Sequence, residues 1–256
     1  MLRMGKKRCF VAGALSAAIA FSTPSLADTI TAGSPPSSAP STFLNTKTGK
    51  IEGYMPEIAL EIARRQNLDL KFDAVIFATL VQSVIAGKID MIVAGMTPNE
   101  QRAKFVDFSQ PILAYGEGIF VRDDQSKTFK TAKDFKDEVV GAMAGTTYGS
   151  MLQDLNVAKE VKFYDSAADL ARDVSLGRVV AGMNDYPIIK GQQAAGALQG
   201  MHVVEEYEPL LKEDVAFGVR KGNKDLLDKI NASLTEMKED GTLKKILAKW
   251  GMDGIL

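Results

Sequence analysis

Twice in this chain a short amphipathic helix stops at a glycine, a basic residue follows, and an apolar strand begins. The first instance is TLVQSVIAG (79–87) running into KIDMIVAG (88–95), with Gly87-Lys88-Ile89 at the join. The second is SAADLARDVSLG (166–177) running into GRVVAGMND (177–185), with Gly177-Arg178-Val179 at the join. In the first helix Leu80 and Val84, and Val81 and Ile85, are four apart and share a face. In the second, Ser166 and Asp169 occupy capping-box positions. A glycine ends each because it adopts the left-handed C-terminal conformation without a Cβ clash. Other strand-like runs are LKFDAVI (70–76), EVVGAMAG (138–145) and VKFYD (161–165), and MPEIALEIARRQN (55–67) reads as a helix with Ile58 and Ile62 inward and Glu61 paired to Arg65. Strands alternating with helices imply mostly parallel sheets. Two such sets imply two similar α/β lobes.

EDVAFGVRKG (213–222) reads as a strand that carries the chain back before a helical tail. In that tail Leu226, Leu227, Ile230, Leu234 and Met237 keep a helical period, Asp240-Gly241 breaks it, and Thr242 is expected to start a final helix containing Trp250. The segment GSPPSSAPST (33–42) is rich in proline and serine and reads as a loop.

The first 27 residues have the layout of a secretory signal peptide. Lys6, Lys7 and Arg8 precede an apolar stretch (9–21), and Ser25-Leu26-Ala27 fits a cleavage site, so the mature chain is expected to begin at Asp28. The apolar stretch is shorter than the roughly 20 residues of a spanning helix. The single cysteine, Cys9, lies within it, so no disulfide or thiolate metal site is expected after cleavage. Removing Arg3, Lys6, Lys7 and Arg8 from 31 basic residues leaves 27 against 32 acidic, a net charge of −5. That balance argues against a nucleic-acid binder. His202 is the only histidine, so neither a Ser-His-Asp triad nor a histidine-rich metal site can be built. Met143, Met151, Met183 and Met201 read as core fillers. The glycines between 141 and 149 lack the Gly-Lys-Ser/Thr of a phosphate loop.

The turn after the strand 88–95 is the place to look for a ligand. Thr97-Pro98-Asn99-Glu100 fits a capping box with proline at the first helical position. A helix starting there would aim unpaired amides at the strand's end and favour an anion. Arg102 lies in the next turn, and its guanidinium can fork onto two carboxylate oxygens. Gly95 lets backbone approach a ligand closely. On the residues alone, pairing of Arg102 with Glu100, Asp107 or solvent is an equal alternative.

GKIDMIVAGMT (87–97), followed by Arg102 and VDFS (106–109), resembles the periplasmic amino-acid-binding proteins of ABC importers, the family 3 solute-binding proteins of the polar amino-acid and glutamine/histidine/lysine type. GKIEGY (49–54), Gly145-Thr146-Thr147, NDY (184–186), EDGT (239–242) and KW (249–250) match in the same order, and the resemblance covers essentially the whole chain after the leader. It implies a type II periplasmic-binding fold with two crossover hinge strands, lobe 1 at 28–115 and 214–256 and lobe 2 at 116–213. It also implies that Arg102 clamps a ligand α-carboxylate, with backbone and hydroxyl hydrogen bonds from Ala94, Gly95 and Thr97. Thr146 and Thr147 would close on that carboxylate from the other lobe, Asp185 would hold the α-ammonium, and Phe77 would pack against the ligand side chain. Without the resemblance, Phe77 reads as a core residue and Asp185 as a helix N-cap. The implied ligand is an amino acid or a derivative, and the implied partner is an inner-membrane ABC permease. The protein itself would be a periplasmic monomer with no cofactor, metal or catalytic residue. Two other classes share the resemblance: a dehydratase acting on prephenate-like acids, arogenate included, and a ligand-binding sensor module.

The chain departs from the family pattern in two places. Ser38 or Ser41 stands where an aromatic is usual, and Pro35 where binders of cationic ligands place an acid, which argues against lysine or arginine as ligand. The usual second-lobe Gly-x-x-Asp is Gly177-Arg178-Val179-Val180 here, whereas Asp90 keeps the first-lobe version.

Overall fold

The computed structural model of the chain describes Met1 and residues 28–252; the expected leader, its cleavage site and Cys9 lie outside the described residues. A ten-stranded sheet runs through the molecule. Its path is Glu160–Tyr164, Val139–Met143, Ala181–Asp185, Leu113–Arg122, Lys212–Arg220, Met91–Met96, Thr29–Ser34 and Asp69–Ala74, with two short strands pairing beside it. At each end the neighbours are parallel, as the alternation of strands and helices predicts.

The two central strands are antiparallel to each other and change partners along their length. Leu113–Gly116 pair with Lys212–Val215, whereas Glu117–Val121 pair with Ala181–Asp185. The other central strand continues from Ala216 along Met91–Met96 and the short strand Val106–Phe108. These are the two crossovers of a type II periplasmic-binding fold. Each ends in an arginine set against the glycine that stops a repeat helix. A Cβ on Gly87 would meet the Arg220 guanidinium, and one on Gly177 would meet that of Arg122. The repeated sequence unit is therefore repeated in its packing.

The helices Tyr54–Gln66, Lys224–Glu239 and Thr242–Lys249 close one core around Tyr54, Ile58, Phe217 and Leu247. Glu61 and Arg65 pair at 2.8 Å as expected, and Arg65 extends the network to Asp240 at 2.7 Å. At the other end the cores centre on Phe135 and Met183, and on Phe120, Leu170 and Ile189. Among the described residues no helix is long and apolar enough to cross a membrane.

Two expectations are corrected. The segment 33–42 is not a plain loop: Gly33 and Ser34 end the strand Thr29–Ser34, and Ser37–Ser38 pairs with Thr42–Asn45 in a three-stranded sheet. The capping box does not start at Thr97. Asn99 is the N-cap, its side chain accepts the Arg102 amide at 2.9 Å, and the helix Glu100–Ala103 has four residues. Pro98 therefore precedes the cap instead of opening the helix, and so short a helix has little dipole to offer an anion. Thr242 opens the last helix as expected, after Gly241 in the left-handed region, with its amide held by Asp240 at 2.8 Å; Trp250 caps its C-terminus.

Candidate functional site

The crossover register builds the floor of the site. Asp185 pairs with Glu117 and Glu213 with Tyr115. Cross-strand partners share a sheet face, as do residues two apart on one strand. Tyr115, Glu117, Asp185 and Glu213 therefore project from one face, and all four line one cavity. Phe77, Gly95, Thr97, Arg102, Thr146 and Thr147 complete its wall.

Seven of the eight residues singled out in the sequence thus come together. Ala94 does not line the cavity: its side chain is 1% exposed in the core beneath the helix Leu80–Ile85. Phe77 is half-buried at that core's edge and stands 5.8 Å from the Arg102 guanidinium carbon. Ser38, Ser41 and Pro35 are not among the lining residues.

Gly95 has a steric reason to lack a side chain. A Cβ there would overlap the Tyr115 hydroxyl and stand 3.5 Å from Asp185 Oδ2. The gap holds the hydrogen bond from Tyr115 to Asp185 at 3.1 Å. Gly95→Ala is expected to push Tyr115 aside, lower unfolding stability by about 1–3 kcal/mol, and weaken ligand binding. Denaturant unfolding and a binding titration check the two effects.

Arg102 donates to Thr97 O at 2.5 Å and to Gly145 O at 2.8 Å. Neither bond is an ion pair, and a guanidinium carries five N–H donors, so capacity for a carboxylate remains. Asp107, one alternative partner, pairs instead with Lys221 at 2.6 Å. Because Asn99 is the cap, the Thr97 hydroxyl is not spent on capping. Opposite Arg102, Gly145 has φ 75 and meets Ala78, so a Cβ there would strike backbone. Thr146 caps the helix Thr147–Asp154, donating to Met143 O at 2.7 Å and accepting from Gly149 N at 3.2 Å. The first-turn amides of Thr147 and Tyr148 stand where a helix leaves donors unpaired. Asn99 Nδ2 reaches the Thr147 hydroxyl at 3.2 Å, joining the two walls.

Asp185 occupies the N-cap position of the helix Tyr186–Ala194, yet its side chain makes no capping bond. It turns into the cavity. Burial pushes its carboxyl up to about 6, and the Glu117 charge adds to the rise; the Tyr115 and Tyr148 hydroxyls and the Arg102 charge pull the other way. Burial also lowers the pKa of Arg102, opposed by Asp185 and Glu213. Glu117 is 3% exposed and is raised by burial, while it accepts the Leu210 amide, the Leu211 amide at 3.2 Å and the Tyr207 hydroxyl at 3.4 Å. A ligand carrying both charges would relieve the desolvation of Arg102 and Asp185 together.

Tyr115, Glu117, Tyr148 and Glu213 belong to this wall but not to the sequence reading. The common face of Tyr115, Glu117 and Glu213 depends on register between strands about 70 to 100 residues apart, which local periodicity does not contain, and Tyr148 enters from the first turn of the helix Thr147–Asp154. An acid within the apolar run LAYGEGIFVR was the one available signal for Glu117.

Residues 30–253 match the model of the bacterial extracellular solute-binding proteins, family 3. The chain belongs to that family. It is 27% identical to a probable amino-acid ABC transporter-binding protein of Haemophilus influenzae, over 96% of this chain and 97% of that one. It is 28% identical to the L-cystine-binding protein TcyJ of Escherichia coli K12, over 79% and 75% of the two chains. Among solved structures it resembles an ancestral arginine-binding protein bound to glutamine, with TM-score 0.82 and 31% identity over 89% of this chain and 99% of that one.

Proposed function

We propose that this protein captures an amino acid or amino-acid derivative between its lobes and presents it to an inner-membrane ABC permease. The observation that carries the reading is Arg102 and a non-capping Asp185 facing one cavity from opposite lobes. Arg102 takes the α-carboxylate with Thr97, Gly95, Thr146 and Thr147 around it, Asp185 takes the α-ammonium, and Phe77 flanks the side chain. Ala94 contributes through backbone only. Related chains named for cystine, arginine and glutamine support an amino-acid ligand. Lobe 1 comprises 28–115 and 214–256 and lobe 2 comprises 116–213, a division supported by the partner switches at Gly116 and Val215. Ligand contacts from both lobes favour the closed state, which the permease recognises. Export through the leader, cleavage after Ala27 and a monomeric state complete the proposal.

Thermal unfolding against the twenty amino acids tests it, using protein freed of co-purified solute by unfolding and refolding. A rise of several degrees with one or a few amino acids supports the reading; no shift with any of them overturns it. Prephenate and arogenate belong in the same screen. A structural neighbour at 27% identity and TM-score 0.78 is an ancestral amino-acid-binding protein described as a precursor of cyclohexadienyl dehydratase, and an acid titrating near 6 could donate a proton. Consumption of either compound on incubation would favour the enzyme.

Binding should also depend on pH. The ammonium needs the Asp185 carboxylate, whose pKa in the empty protein is about 6. Affinity is expected to be flat above pH 7 and to fall about tenfold per pH unit below 6. Titrations between pH 4.5 and 8 check this, and a flat profile throughout would remove Asp185 from the ammonium site.

A further inference from the structure

Three carboxylates and one guanidinium line the cavity. An α-amino acid zwitterion would match Arg102 and Asp185 and leave two acids. Glu117 is already engaged by the Leu210 and Leu211 amides and the Tyr207 hydroxyl, which tie the chain before the second crossover to the first. Glu213 is different. Its Oε2 is buried without a hydrogen-bond partner among the described residues. Its neighbours along the strand, Lys212 and Asp214, are exposed and alternate to the opposite face. Its cross-strand partner is Tyr115, whose hydroxyl is committed to Asp185. A buried carboxylate oxygen without a partner is costly to keep.

We infer that the cleft selects an amino acid whose side chain ends in a cation, an amine or a guanidine, and that the Glu213 carboxylate receives that cation. The inference rests on the amino-acid reading above and adds the ligand's third charge. A neutral side chain leaves Glu213 unpaired, and an acidic one adds a second ligand carboxylate to a cavity that already holds three from the protein. The absence of an acid at Pro35 bears only on the first loop. Pro35 is buried and does not line the cavity, and Glu213 brings an acid from the second crossover instead.

Calorimetric titration of the refolded protein with lysine and its neutral isostere 2-aminoheptanoic acid, and with arginine and its neutral isostere citrulline, tests this. At least one cation is expected to bind ten times or more tighter than its isostere. Glu213→Gln is expected to bring that ratio within threefold, chiefly by weakening binding of the cation. Equal or tighter binding of both neutral isosteres in the wild type overturns the inference without any variant, as does an undiminished ratio in folded Glu213→Gln. Tight binding of a neutral amino acid alone would defeat this inference and leave the amino-acid reading standing. Failure of every amino acid to bind would defeat both.

Discussion

Replacing Arg102 with alanine is expected to weaken ligand binding by about a thousandfold while the empty protein keeps its fold. Truncating one partner of a buried, hydrogen-bonded charge pair costs about 2–5 kcal/mol, and a thousandfold corresponds to about 4 kcal/mol. Stability should move little because two effects oppose. The variant loses the bonds from Arg102 to Thr97 O and Gly145 O. It also removes a guanidinium whose pKa is lowered by burial, a sign that the folded state disfavours its charge. Arg102→Lys should remain far weaker than wild type, because an ammonium cannot reproduce the planar fork. Calorimetric titration, with circular dichroism melts as the fold control, reads both. Wild-type affinity in Arg102→Ala would move the carboxylate site elsewhere.

Asp185→Asn should separate binding from stability more sharply. Its folded pKa of about 6 lies above the ordinary value of 3.8. Such a group contributes stability that is fully present below the unfolded pKa and is lost as pH rises through the folded one. At pH 7 the ionised Asp185 therefore destabilises the empty protein, by about 2 kcal/mol after allowing for its partial exposure. The asparagine variant should unfold several degrees higher than wild type at pH 7 without ligand, and the gap should close between pH 6 and 4. Its affinity for an amino acid should fall at least a hundredfold. Unfolding midpoints at pH 4 and 7, without ligand, check the first effect. A variant less stable than wild type at pH 7 would show that Asp185 serves the fold.

What was legible in the sequence follows from how far each signal extends. The two helix–glycine–strand units are written in contiguous stretches, and they appear as Leu80–Ile85 into Met91–Met96 and as Ala167–Ser175 into Ala181–Asp185. Ser166 caps its helix as its spacing indicates. Thr97 does not, because Asn99 also satisfies the capping chemistry and offers the shorter turn to Arg102. The strand at Ser37–Ser38 is hidden by its prolines, which sit just outside it. Arg102 and Asp185 are recognisable through family motifs. Tyr115 and Glu213 are not, because what places them in the cleft is the pairing of two crossovers far apart in the chain.

The central claim is that a zwitterion bridges Arg102 and Asp185. The most direct test titrates the preferred amino acid beside two analogues, one with the α-carboxylate amidated and one with the α-amine replaced by hydrogen. Each analogue is expected to bind at least a hundredfold more weakly at pH 7, with the deaminated one losing its pH dependence near 6. An analogue that binds as well as its parent would contradict the bridge at that end.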